Sequence, residues 1–258
     1  MDTGKSRPFA LIYELLGTAL ITSAYNMGGH LSLIRALSYM AGYLVAVNVS
    51  GAHFNPATSL AVYMINRNKG GPGLAYLIIV MITQFIGCVF GQVLSYALIK
   101  NFDTQFSYSL YPNSPGRLGL YFYRPRGDVE SSVNFSRVGA QEILQTFIFT
   151  LIFLVLRYDS MFTKVSRIVK GLSLFHVLLA CYVMSLGAGA CLNPAFGLAQ
   201  TSYWAIMSHA DVTFIDWSCV WVYTFMPFVG AILATFVFAF HNSISEKFAP
   251  PVVVKARE

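Results

Sequence analysis

Long apolar runs alternate with short polar connections along nearly the whole chain. Runs over residues 9–26, 35–50, 74–99, 138–157, 171–187 and 218–241 approach or exceed the roughly 20 residues a helix needs to cross a bilayer. Two further apolar stretches, 53–65 and 191–205, are too short to span. Each begins at the same polar tripeptide, Asn55-Pro56-Ala57 and Asn193-Pro194-Ala195. Pro is favoured at the first helical position and Asn is a good N-cap, so each tripeptide predicts the start of a short helix. The unpaired N–H groups of that first turn make it a positive end. A helix too short to cross lipid survives at membrane depth only inside protein or along a water-filled cavity. The pattern therefore predicts an all-α membrane protein with six transmembrane helices and two re-entrant half-helices.

The two halves of the chain match in order. Glu14-Leu15-Leu16-Gly17-Thr18 mirrors Glu142-Ile143-Leu144-Gln145-Thr146, the Asn-Pro-Ala tripeptides follow, and Gln84-Phe85-Ile86-Gly87 mirrors Pro227-Phe228-Val229-Gly230. Each half carries three spans, an odd number, so the second lies inverted in the membrane. Inverted repeats with discontinuous helices meeting at the midplane mark a transport site. Residues 1–258 are read as one channel domain, with repeats at about 9–100 and 138–241 and an outer connection over 101–137.

Composition and charge sharpen this picture. Of 258 residues 56% are hydrophobic and 11% charged, where soluble domains carry about 25% charged. The net charge of +6 is not a nucleic-acid signature. Eleven of the 17 Lys and Arg residues fall on alternate connections, among them Arg67, Lys69, Arg157, Lys164, Arg167 and Lys170. Those connections, with both termini, are assigned to the cytoplasm. Asn134-Phe135-Ser136 in the outer connection is a candidate glycosylation acceptor, with an unmodified chance match as the competing reading. Lys5 and Arg7 lead into the first span without a convincing signal-peptide cleavage site. Cys88, Cys181, Cys191 and Cys219 form no CxxC pair and indicate neither a disulfide framework nor a metal site.

The stretch Ser50-Gly51-Ala52-His53-Phe54-Asn55-Pro56-Ala57, the second tripeptide, Glu14, Gln84, Glu142 and Trp221-Val222-Tyr223 with Pro227 resemble the aquaporin, or major intrinsic protein, family over about residues 9–241. The resemblance implies one pore per subunit, a homotetramer in a lipid bilayer, and passive passage of water or small neutral solutes with protons and ions excluded. It implies no cofactor and no enzymatic activity, and the polar residues hold no nucleophile–base set or phosphate loop. Asn55 and Asn193 are expected to offer amide N–H groups to a passing solute, with carbonyls of residues 51–54 and 189–192 as acceptors. Intramembrane acids are functional candidates by default. Being symmetry-related, Glu14 and Glu142 are read instead as acceptors that hold the two loops, with a proton relay as the competing reading. His53 is likewise read as a loop brace, and Asn48 is either pore-facing or bonded between spans.

The chain departs from the family where the outer constriction is expected. The resemblance implies Arg directly after the second Asn-Pro-Ala, and this chain has Phe196. Twenty residues before Asn55, where the family has an aromatic, stands Arg35. We read this as an exchange, Arg35 supplying the guanidinium and Phe196 the ring, against the alternative that Arg35 snorkels to headgroups. Cys181, 12 residues before Asn193, leaves room where strict water channels carry His, and Cys191 lies close to the pathway. Gly197 stands where glycerol-conducting members carry Asp, Tyr223 keeps the aromatic of water channels, and Thr224 replaces their Trp. These residues lean toward a water channel in the plasma membrane or an intracellular membrane. The alternatives are a facilitator of glycerol, urea or peroxide, and a non-conducting structural membrane subunit plugged by Phe196.

Overall fold

A computed structural model describes residues 7–27, 32–66, 73–99, 135–184, 191–207 and 220–248. Asn134 and nearly all of the outer connection lie outside the described residues. In chain order the helices are α1 (Arg7–Met27), α2 (Ser32–Ala46), α3 (Pro56–Asn66), α4 (Leu74–Ile99), α5 (Phe135–Tyr158), α6 (Arg167–Met184), α7 (Pro194–Met207) and α8 (Val220–Phe248). Five of them, α1, α4, α5, α6 and α8, are long and apolar enough to cross a membrane. The 15-residue α2 is shorter than the expected run because its last turn opens at Val47–Ser50 into non-helical backbone leading to Pro56. α5 begins at Phe135, three residues before the expected span.

The expected repeat is visible in the packing. α1 pairs with α4 and α5 with α8, while α3 lies on α8 and α7 on α4, so each short helix packs on the last helix of the other half. Glycines let the paired helices touch. A Cβ at Gly87 would lie 2.5 Å from the Leu15 carbonyl oxygen, and one at Gly230 would lie 2.4 Å from that of Ile143. In lipid, where apolar burial drives little helix association, such backbone contact holds helices together. The lipid-facing sides carry exposed Ile, Leu, Val and Phe, as on Ile78, Ile82, Ile86, Phe236 and Phe240.

Candidate functional site

The site is built where α3 and α7 meet head to head. Asn55 caps α3, its Oδ1 accepting from the Ala57 N–H at 2.9 Å. Asn193 caps α7 in the same way, accepting from Ala195 and Phe196 at 3.1 and 3.3 Å. Each amide then reaches across. Asn55 Nδ2 donates to the Leu192 carbonyl at 2.7 Å, and Asn193 Nδ2 donates to that of Phe54 at 2.8 Å. A side-chain amide has two N–H groups, so one per Asn is spent on this reciprocal link and one is left.

The loops ahead of the half-helices are held open by unusual backbone. Ala52, Phe54 and Leu192 adopt left-handed φ of 54°, 52° and 56°, and Gly51 has φ 93°. Such conformations persist when surroundings over-determine them, and here they do. Glu14 accepts from the N–H groups of His53 at 3.0 Å and Phe54 at 2.7 Å and from Gln84 Nε2 at 2.8 Å. Glu142 accepts from the N–H groups of Cys191 at 2.7 Å and Leu192 at 2.8 Å. Both carboxyls are buried. His53 Nδ1 lies 3.2 Å from Ser59 Oγ, and Tyr39 donates to the Ala52 carbonyl at 3.1 Å. The Phe54 ring fills the space that Gly17 and Gly42 leave between α1 and α2.

Arg35 is 4% exposed and does not reach outward to headgroups. Its Nη2 donates to the Cys191 carbonyl at 2.7 Å. Its guanidinium carbon sits 4.2 Å from the Phe196 ring centre, 4.3 Å from that of Tyr182 and 5.3 Å from that of Tyr25. Tyr25 meets Phe196 edge to face at 5.0 Å. Arg35, Phe196 and the Cys191 backbone therefore come together, but the two thiols turn away. Cys181 Sγ points at the Gln145 carbonyl at 3.6 Å, and Cys191 Sγ donates to the Asn193 carbonyl at 3.0 Å. Tyr25 and Tyr182, which complete the cage, were not singled out from sequence. Tyr182 is the immediate neighbour of Cys181, one helical residue around from the counted position.

One further feature lies outside the sequence reading. Gln92 Nε2 donates to Gln200 Oε1 at 2.9 Å, and Gln200 Nε2 donates to Asn26 Oδ1 at 3.2 Å, tying α4, α7 and α1 together. At the opposite mouth Asn48 lines a cavity of about 340 Å³ together with Tyr43, Arg157 and Lys170. Among the described residues no group of His, Cys, Asp and Glu is arranged to hold a metal ion.

A family model, Major intrinsic protein, matches residues 22–238 of this chain. The chain belongs to the major intrinsic protein family. It is therefore a multi-pass membrane channel protein and not an enzyme. It is similar to the glycerol uptake facilitator protein of Streptococcus pneumoniae (strain ATCC BAA-255 / R6), 31% identical over 245 residues, which cover 89% of this chain and 94% of that protein. It is also similar to the aquaglyceroporin of Toxoplasma gondii, 26% identical over 209 residues, covering 78% and 65%. The X-ray structure of the aquaglyceroporin from Plasmodium falciparum shares its fold, with TM-score 0.73 at 21% identity, covering 93% of this chain and 99% of that one.

Proposed function

We propose that this channel passes glycerol and similarly small neutral polyols, with water as a co-permeant. The observation that carries the reading is the outer cage, where the Arg35 guanidinium lies on the Phe196 and Tyr182 rings. A polyol is two-faced, and a site with a donor on one side and aromatic faces on the other suits both its hydroxyls and its C–H groups. Deeper in, the remaining N–H of Asn55 and of Asn193 meets the hydroxyls one at a time, and the loop carbonyls accept from them. The two positive helix ends and an apolar wall reject cations, which lose hydration there without replacement. The names of the relatives, glycerol uptake facilitator and aquaglyceroporin, point the same way.

Gly197 stands where glycerol-conducting members of the family carry an acid. A Cβ at Gly197 would lie 2.8 Å from both Cys191 Sγ and Tyr223 Cβ, so packing alone keeps an acid out. Its absence therefore says little about the solute. The same reading places both termini in the cytoplasm, the Asn134 connection outside, and four subunits around separate pathways.

The test is stopped-flow light scattering on liposomes holding the full-length protein. Rapid re-swelling in glycerol, well above empty liposomes, is expected, and fast water flux with no glycerol uptake would return the channel to the water class. A second reading, a channel shut at the outer cage, is favoured by the exposures there: Arg35 4%, Phe196 1%, Tyr25 8% and Tyr182 8%. It predicts neither flux.

A further inference from the structure

At the mouth opposite the Arg35 cage, a cavity of about 340 Å³ opens between the end of α2, the end of α5 and the start of α6. Its walls carry Arg157, Arg167 and Lys170, and among the residues that line it there is no carboxylate. Two of these cations stand where a fold would ordinarily avoid them. Ser166 caps α6, accepting from the Val169 N–H at 3.4 Å, which places Arg167 and Lys170 in the first turn, with no acidic residue there. The N-terminal end of a helix is its positive end and favours anions. A helix terminus, two first-turn cations and a third from α5 thus add their fields at one point, and among the described residues neither Arg167 nor Lys170 has a carboxylate partner. Asn48, Tyr43 and Thr163 add amide and hydroxyl groups to the same walls. The volume sits at the small end of the roughly 300–1,000 Å³ of small-molecule sites.

We propose that this mouth binds a small phosphate monoester that also carries hydroxyls, the phosphorylated form of a permeating polyol. Arg157, Arg167 and Lys170 take the phosphate, with the planar guanidinium forks suited to its oxygens, and Asn48 and Thr163 meet the hydroxyls. The polyol half of that ligand rests on the glycerol reading above; the phosphate half does not. A soluble ester fits better than a lipid headgroup, because the inner wall is made of Phe153, Leu156 and Leu174, which are buried within the bundle rather than turned to lipid. Arg157 also donates to the Gly51 carbonyl at 3.2 Å, so an occupant lies directly over the loop that leads to Asn55 and obstructs the pathway from this side. A reaction that phosphorylates the incoming polyol would then slow further uptake as its product accumulates.

Isothermal titration of the detergent-solubilised full-length protein with glycerol 3-phosphate tests this without any transport step. Saturable binding is expected, weakened by about tenfold or more in the Arg167→Gln/Lys170→Gln variant and retained in Arg167→Lys/Lys170→Arg. Thermal unfolding confirms that both variants are folded. No saturable binding to the unaltered protein, an unchanged affinity in the folded neutral variant, or binding only to vesicles containing phosphatidic acid each overturns the proposal. A protein that binds the ester but passes no glycerol loses only the glycerol reading; one that passes glycerol and binds no ester loses only this one.

Discussion

Exchanging the two residues of the outer cage tests whether Arg35 and Phe196 form one unit. Arg35→Phe alone leaves the Cys191 carbonyl without its 2.7 Å donor and removes a cation from three rings. An unsatisfied buried acceptor costs about 1–3 kcal/mol, and each lost cation–ring contact roughly 0.5–2 kcal/mol. Phe196→Arg alone places a second guanidinium where the ring now lies, 4.2 Å from the first. At an effective dielectric of about 20 that repulsion is about 4 kcal/mol. Each single variant should therefore unfold at clearly lower temperature. The double variant restores one guanidinium and one ring in reversed positions, so its loss should fall well short of the sum, as expected for residues in contact. Function should follow. A cation passing about 6 Å from a guanidinium meets roughly 3 kcal/mol of repulsion at that dielectric, on the order of a 100-fold barrier. Arg35→Phe should leak protons and sodium by about that factor, and the double variant should regain exclusion. Stopped-flow scattering for glycerol and an entrapped pH dye for protons read both. An Arg35→Phe channel that excludes cations normally, or a double variant as impaired as the two singles combined, would refute the unit.

Three other outcomes are expected. Glu14→Gln and Glu142→Gln each turn an amide N–H toward a backbone N–H now held at 2.7–3.0 Å, so both should lose folded yield and about 1.5–3 kcal/mol in thermal unfolding per bond broken. Gly87→Ala and Gly230→Ala drive a Cβ to 2.5 and 2.4 Å from backbone oxygens of the facing helix, and should each cost about 1–3 kcal/mol, measured as a lower melting temperature. Gly197→Asp, which imports the acid of glycerol conductors, should misfold rather than raise glycerol flux, because Tyr223 Cβ lies 2.8 Å from the new Cβ; a folded variant with faster glycerol uptake would count against the packing argument.

Much of this architecture is legible in the sequence because lipid imposes simple requirements. Apolar length marks the spans, and a proline-started polar tripeptide inside an apolar chain has few places to go. Arg35 is found by counting 20 residues back from Asn55, a distance that runs along α2 and then through the loop held by Glu14. Counting fails for Cys181, whose thiol faces α5, because one residue along a helix is a turn of about 100° and brings Tyr182 to the cage instead. Tyr25 comes from α1, which no spacing argument tied to Phe196. The crossed amides are also hidden: local sequence predicts the caps, but only the meeting of two loops shows that each Asn has already spent one N–H. The early end of α2 is followed by left-handed backbone at Gly51, Ala52 and Phe54, which sequence signals only through Gly51.

Arg35 also belongs to a second pattern that spans the two halves of the chain. Glu14 takes the N–H groups of the first loop, and Arg157, from the other half of the chain, donates to that loop's Gly51 carbonyl. Glu142 takes the N–H groups of the second loop, and Arg35, again from the other half, donates to its Cys191 carbonyl. Each loop is thus clamped between an acid of its own half acting on N–H groups and a guanidinium of the opposite half acting on a carbonyl. A buried carboxylate and a buried guanidinium are each costly alone. Here the backbone between them supplies partners to both. The clamps are not equal, because Gln84, the third donor to Glu14, has Pro227 as its counterpart, and a proline at that place donates nothing to Glu142. Among the described residues, the second loop therefore depends more heavily on its guanidinium. An Arg35 that left the cage for the headgroups would give up its contacts with the Phe196 and Tyr182 rings and its half of the clamp on the second loop.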